Sequence, residues 1–145
     1  MIVNILLVLA AFASMEFVAW FTHKFIMHGI LWVWHKSHHS ERKGWWELND
    51  LFGIIFACVA IFFIKIGFDT LNYYFYLGLG ITLYGLAYFI FHDVIVHRRV
   101  KVDFIAKSNY LKGIIRAHKI HHKSRHREQG KSFGFLYTLE KYRKA

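Results

Sequence analysis

"IVNILLVLAAFASMEFVAWFTHKFIMHGILWVWHKSHH", residues Ile2 to His39, begins as an apolar run and ends as a histidine cluster. Its first part, Ile2 to Phe21, supplies the roughly 20 apolar residues that an α-helix needs to cross about 30 Å of hydrocarbon. No basic n-region precedes it and it runs directly into His23, so it reads as a retained span rather than a cleaved signal peptide. Two similar runs follow, Leu51 to Phe68, with Lys65 near its end, and Tyr73 to Phe91, and the chain has no proline to interrupt them. Buried core helices of soluble proteins are usually shorter. Composition agrees, since 145 residues that are 56% hydrophobic and 19% aromatic exceed what one soluble domain needs for its core. The expected fold is an all-α integral membrane protein, a single domain over 1–145 with spans near 2–22, 51–68 and 71–91.

Charge sets the expected orientation. The formal net charge is +10, and every Lys and Arg except Lys65 lies within 24–43 or 98–144. By the positive-inside rule the segments 23–50 and 92–145 are cytoplasmic, and the turn "GFDTLN" faces the other side. Basic segments beside anionic lipid explain the charge more simply than an RNA-binding reading of "KIHHKSRHREQGK", so no nucleic-acid partner is expected. All five tryptophans fall between Trp20 and Trp46, as in an interfacial aromatic belt. Cys58, alone in the chain, can form no intrachain disulfide and reads as packing.

All eleven histidines lie in the two basic segments. His23, His28, His35, His38 and His39 follow the first span; His92, His97, His118, His121, His122 and His126 follow the third. Topology alone brings both clusters to one membrane face. Their spacing also repeats: H-x4-H then H-x2-H-H occurs as "HKFIMH" with "HKSHH" and again as "HDVIVH" with "HKIHH". His126 falls outside the repeat and is expected at the surface.

At about 100° per residue, positions i, i+3 and i+4 share one helix face, so His118, His121 and His122 project together. Tyr110, Leu111, Ile114 and Ile115 continue that face backwards, opposite Lys112, Arg116, Lys119 and Lys123. In the first copy Leu31 and Trp32 precede His35, His38 and His39 in the same way. The H-x4-H pairs differ, because i and i+5 are about 140° apart on an ideal helix. Each such pair either serves two different ions or sits where its helix loosens. Ten imidazoles are too many for one ion, and imidazole alone does not choose between iron, copper, nickel and zinc. Ten neutral ligands divided between two ions, with positions left for oxygen, fit a dinuclear centre best.

Neutral ligands leave the metal charge uncompensated, so nearby polar side chains are expected to orient the imidazoles. Glu16 is the sharpest candidate, an ionisable residue inside a span and two helical turns before His23. Asp93 adjoins His92, and Asn49 and Asp50 open the second span, where helix capping is an equal explanation for one of them.

The strings "HKFIMHG", "HKSHHSERKGWWELND", "HDVIVHRR" and "AHKIHH" with "KSFGFLY" resemble, in that order, the bacterial-type β-carotene hydroxylases of the membrane fatty acid hydroxylase and sterol desaturase superfamily. The histidine pattern points to the superfamily, and "ERKG", "ND" and "SFGFL" narrow the resemblance to carotenoid hydroxylases. It covers Glu16 to Tyr137. It implies a non-haem di-iron monooxygenase, its two iron ions replaceable by zinc in a given preparation, held by His23, His28, His35, His38, His39, His92, His97, His118, His121 and His122. It further implies O2 as co-substrate, electrons from a ferredoxin-type donor, and hydroxylation at C3 of β-ionone rings from β-carotene through β-cryptoxanthin to zeaxanthin. The implied location is the bacterial inner membrane with the site on the cytoplasmic side. Members are commonly described with four spans, whereas this chain has three full-length runs.

A carotenoid dissolves in the bilayer, so its ring is expected to enter between spans past Phe17, Phe21, Tyr84, Tyr88 and Phe91. The basic face carrying Lys112, Arg116 and Lys119 is expected either to dock the acidic electron donor by electrostatic steering or merely to contact lipid. The same scaffold would serve a fatty acid or sterol hydroxylase, a desaturase or a carotenoid ketolase. A transporter or simple metal-binding membrane protein is the non-enzyme alternative, but transport sites lie near the bilayer midplane and these histidines gather at one end of the spans.

Overall fold

The first apolar run forms α1 (Ile2–Phe21), and in the computed structural model, which describes residues 1–40 and 44–144, this helix does not stop at its polar end. It continues as a π-helical segment, Thr22–Ile30, until Gly29 leaves helical geometry at φ −108°, ψ −119°. A single α-turn, α2 (Trp32–His35), and a 3-10 turn, Lys36–His39, complete the first histidine cluster. Glu41, Arg42 and Lys43, which carry most of the "ERKG" string, lie outside the described residues.

The second run forms α3 (Asp50–Gly67) and the third forms α4 (Tyr73–Tyr88), which also continues as a π-helical segment, Phe89–Val96. Asn72 caps α4 by accepting the Tyr74 N–H at 3.0 Å, an orientation that starts the helix directly after the turn. α5 (Asn109–His122) is capped by Ser108, whose Oγ accepts the Leu111 N–H at 3.2 Å. A 3-10 turn, Arg127–Gln129, and α6 (Glu140–Arg143) follow.

The described residues contain three helices long and apolar enough to span a membrane: Ile2–Ile30, Asp50–Gly67 and Tyr73–Val96, of 29, 18 and 24 residues. Even the shortest reaches about 27 Å at about 1.5 Å per residue. The first and third run past the expected ends at 22 and 91, so His23, His28 and His92 lie in the extensions of their spans and His97 caps the third.

α4 lies between α1 and α3 and touches both. Small residues permit the approach. A Cβ on Gly80 would sit 2.5 Å from Ala11 Cβ and 2.6 Å from the Val8 carbonyl oxygen, and one on Gly78 would sit 2.9 Å from the Ala60 carbonyl oxygen. The core consists of Met15, Ala60, Ile81 and Tyr84 from the three spans and Phe135 from the C-terminal loop. Leu6, Leu9, Ile55, Phe62 and Leu83 stay exposed on the outer faces, where lipid would cover them. The C-terminal loop is therefore packed into the mouth of the helix layer, directly below the histidines.

Candidate metal centre

The histidines converge on two adjacent groups. His23, His28, His35, His39 and His121 form one, and His38, His92, His97 and His118 the other, each with a ring nitrogen per residue lying within 4.8 Å of the rest. We call them group A and group B. His122 lies beside them, its ring centroid 4.4 Å from His118, 4.7 Å from His97 and His38 and 4.6 Å from His39, with its buried Nε2 unpaired. His126 is exposed.

The five-residue spacing is accommodated by loosening of the helix rather than by separating the pair. A π-helix hydrogen-bonds i to i+5, so its i and i+5 side chains stack much as i and i+4 do on an α-helix. The His97 N–H donates to the His92 carbonyl at 2.9 Å, which is that i+5 closure, and both residues join group B. His23 and His28, within the other π-segment, both join group A.

The H-x2-H-H triads behave differently from the common-face expectation. Each sends its middle histidine to the other group: His35 and His39 belong to A while His38 belongs to B, and His118 belongs to B while His121 belongs to A. An arc of about 100° is wide enough to straddle two adjacent centres, and the i, i+3 and i+4 positions divide across it.

Group A has a complete outer shell. Nδ1–H of His23 donates to the Phe133 carbonyl at 3.2 Å, of His28 to Arg127 at 3.0 Å, of His39 to Ser124 at 2.7 Å and of His121 to Lys131 at 3.0 Å. His35 donates to Asn49 Oδ1 at 2.7 Å. Every acceptor is an oxygen that cannot donate, which fixes the proton on Nδ1 and leaves each Nε2 as a lone pair. Those lone pairs face one another, with Nε2 of His35 lying 3.0 Å from that of His39 and 3.2 Å from that of His23, and His28 3.1 Å from His121. Lone pairs at this range repel unless a cation lies between them, and metal–nitrogen bonds of about 2.1 Å at right angles place nitrogens about 3.0 Å apart. The donor set fits a metal ion.

Group B carries carboxylates. His38 Nδ1–H donates to Glu47 Oε2 at 2.9 Å, and His38 Nε2 lies 3.3 Å from His92 Nε2. His97 and His118 bring their Nε2 atoms to 2.8 Å. Asp93 Oδ2 is 3.5 Å from His92 Nδ1, too long for a hydrogen bond, so its influence there is electrostatic. Asp93 instead pairs with Arg99 Nε at 2.8 Å; Arg99 also pairs with Asp50, which accepts the Glu47 N–H at 3.1 Å.

Burial holds the imidazoles outside the spans neutral. Loss of hydration, reinforced by neighbouring imidazoles, pushes His39 down to about 4 and His121 to about 3. Loss of hydration also takes His35 to about 2, against the opposing hydrogen bond to Asn49, and lowers His38, His118 and His122 well below the ordinary histidine value. Neutral imidazole is the form that binds a metal.

Glu16 does not reach a histidine. Its carboxylate accepts the Tyr84 hydroxyl at 2.8 Å and the N–H groups of Phe135, Leu136 and Tyr137 at 2.8, 3.0 and 2.9 Å. It therefore anchors the loop whose Phe133 carbonyl holds His23, two residues earlier. Asn49 touches a group A histidine, whereas Asp50 acts through Glu47 and Arg99. Glu47 and the backbone acceptors were missed from sequence. Glu47 stands within the polar "ELND" that opens α3, but a carbonyl is present at every residue and leaves no trace in the side-chain pattern.

Below the histidines, a cavity of about 780 Å³ opens between α1, α3 and α4. Met15 and Ala19 line it from α1, Thr22 from the π-helical segment that follows, and Phe56, Ala57 and Ala60 from α3, with Phe133 and Phe135 at its roof; His23, His92 and His118 border it. Tyr84 and Tyr88 line it as expected; Phe17, Phe21 and Phe91 do not. Phe17 and Phe21 stand two residues beyond Met15 and Ala19, about 200° around the helix, and are 65% and 45% exposed on the outer face. Phe91 packs against the core instead.

Three apolar spans topped by a histidine-rich helical cap define a membrane metal-site architecture, and residues 8–140 match the fatty acid hydroxylase family, to which this chain belongs. It is 48% identical to the β-carotene hydroxylase of Pseudescherichia vulneris over 95% of this chain and 78% of that protein. The β-carotene hydroxylase of Pantoea ananas is 44% identical over 93% and 77% respectively. A chloroplastic β-carotene 3-hydroxylase of Arabidopsis thaliana is 42% identical over 77% of this chain and 37% of its own length. No solved structure matches the chain significantly.

Proposed function

We propose that this chain is a membrane β-carotene 3-hydroxylase that uses two iron ions, O2 and electrons from a ferredoxin-type donor. The observation that carries the reading is the placement of groups A and B at the closed end of an apolar cavity that opens between membrane helices. The names of the bacterial and plant relatives supply the substrate. All ten repeat histidines are assigned to the metals, with His122 completing group B through its unpaired Nε2. The Lys and Arg distribution, by the positive-inside rule, supports a cytoplasmic site in this reading, and the bacterial relatives support the inner membrane.

Bound iron would supply the activation of O2 and the oxidation of a ring C–H bond. The chain supplies the geometry. The mostly apolar cavity walls, Met15, Ala60 and Ile81 among them, take an apolar ring directly from the bilayer, and Arg99, the cation in the lining, is already paired with Asp50 and Asp93 rather than open to a charged acyl headgroup. Phe133 and Phe135 close the roof and exclude water beside His23 and His92. Carbonyl acceptors hold the group A imidazoles as neutral Nδ1–H tautomers, while Glu47 increases the basicity of His38.

Expression in a host that accumulates β-carotene, followed by chromatography and mass analysis of extracted pigments, tests this directly. Mono- and dihydroxylated products carrying oxygen from 18O2 at C3 are expected. Membrane-inserted, iron-loaded protein that yields no hydroxylated carotenoid would refute it, and a keto product would redirect it to a ketolase.

A further inference from the structure

The cavity reaches the histidines through His23, His92 and His118 only. Beside group A lies a separate surface depression, bounded by Trp32, Lys36, Arg125, His126, Arg127 and Glu128. Trp32 links the two. Its ring centroid lies 5.0 Å from His28, 5.4 Å from His39 and 5.9 Å from His35, all members of group A that do not border the cavity. Arg127 ties the rim to the same site: its Nε–H donates to the His28 carbonyl at 3.0 Å while its own carbonyl accepts from the His28 ring. Among the described residues of this rim, Lys36, Arg125 and Arg127 are exposed, against one exposed carboxylate, Glu128.

We propose that this depression is the docking site of an acidic one-electron carrier protein and that Trp32 is the contact through which its electrons reach group A. The proposal rests on the hydroxylase reading, whose balance requires it: R–H + O2 + 2 e⁻ + 2 H⁺ gives R–OH + H2O. The carrier is oxidised by one electron at each of two visits, one oxygen atom enters the C–H bond and the other leaves as water with the two protons. Electrons thus arrive through histidines that do not line the cavity, so the donor does not compete with the carotenoid for access. The basic rim selects a carrier of opposite charge and speeds its encounter. On α5, by contrast, Lys112, Arg116 and Lys119 face away from His118 and His121, and Arg116 is engaged by the Lys144 carbonyl. That face offers charge without a path to the metals.

The test uses full-length, iron-loaded protein in β-carotene-containing vesicles of phosphatidylcholine, driven by photoreduced [2Fe–2S] ferredoxin of plant type. The double variant Lys36→Glu with Arg125→Glu should raise KM for ferredoxin on the order of tenfold with little change in kcat, and should abolish most of the salt dependence. Trp32→Leu should lower kcat about tenfold at unchanged KM, a change of about 1.4 kcal/mol in the barrier. Iron content is measured on each sample, because a fall in kcat that tracks lost iron would make Trp32 merely structural and overturn its role. Wild-type KM and salt response in the double variant would overturn the docking site. So would a defect that appears only when phosphatidylglycerol is added to the vesicles, since that marks a membrane contact. If wild-type protein forms no product with either ferredoxin or dithionite, the hydroxylase reading itself has failed.

Discussion

Asn49→Leu separates the two metal positions. Asn49 is 7% and His35 1% exposed, and their 2.7 Å hydrogen bond fixes the ligand at the middle of group A, since His35 Nε2 lies within 3.2 Å of both His23 and His39. Leucine keeps the volume and removes the acceptor. The buried Nδ1–H is then unpaired, at a cost of about 1–3 kcal/mol, or the proton moves to Nε2 and the ligand is lost. Either route weakens metal binding at group A by about 5- to 150-fold, in line with the roughly 10–100-fold typical of removing an outer hydrogen-bond partner. Helix capping does not confound the result, because the Asn49 side chain makes no cap bond to α3. The assay is iron content after equilibration with a chelator series, read together with Mössbauer spectra that distinguish one from two iron environments. Wild type should hold two ions across the series, and Asn49→Leu should fall toward one at intermediate chelator, while Asn49→Asp, which retains an acceptor, should hold both. Loss of both ions together, or of neither, would refute the assignment of Asn49 to one group.

Glu16→Gln places an amide N–H2 against donors that now all find carboxylate lone pairs, so at least one of the Phe135, Leu136, Tyr137 or Tyr84 bonds is lost. A loss of about 1–3 kcal/mol in stability is expected, with faster amide exchange confined to residues 133–137, read by hydrogen-exchange mass spectrometry. Gly80→Val puts its Cβ on Ala11 and the Val8 carbonyl and should separate α1 from α4, lowering thermal stability, whereas Gly85→Ala, which meets nothing within 4 Å, should be neutral. For pH, the depressed histidines bind protons near 6.5 when unfolded and only near 4 or below when folded. The unfolded chain therefore binds more protons between these values, so metal-free stability should fall as pH drops below about 6.5 and go on falling to about 4. A thermal midpoint independent of pH over that window would contradict the burial of neutral imidazoles.

The spans and the repeated histidine spacing were visible in sequence because apolar length and side-chain period are local properties. The helix extensions were only half visible: H-x4-H signalled a departure from α geometry, but the choice between divided ligands and a widened helix depends on the backbone. The exchange of His38 and His121 between groups depends on how two distant helices meet, which no local period encodes. Glu16 shows the same limit from the other side. Its cost inside a span signalled that it has partners, yet these are Tyr84 and amides more than a hundred residues away rather than a histidine, and amides have no residue type. The phenylalanines of α1 were misplaced because an apolar face toward lipid and one toward a cavity have the same composition.

The exchange of middle histidines has a consequence for biogenesis. When the ribosome has delivered α1 to α3, group A has four of its ligands and group B has only His38, and the ligand that completes A lies at His121, near the end of the chain. The first half holds four group A imidazoles but lacks the carbonyls of Phe133, Arg127 and Ser124 that orient His23, His28 and His39. Metal capture is thus tied to completed insertion of α4 and docking of α5, and a truncated or stalled chain exposes a weak, open set of imidazoles rather than a redox-active centre. Threading the ligands across both halves delays reactivity until the membrane fold that contains it has formed.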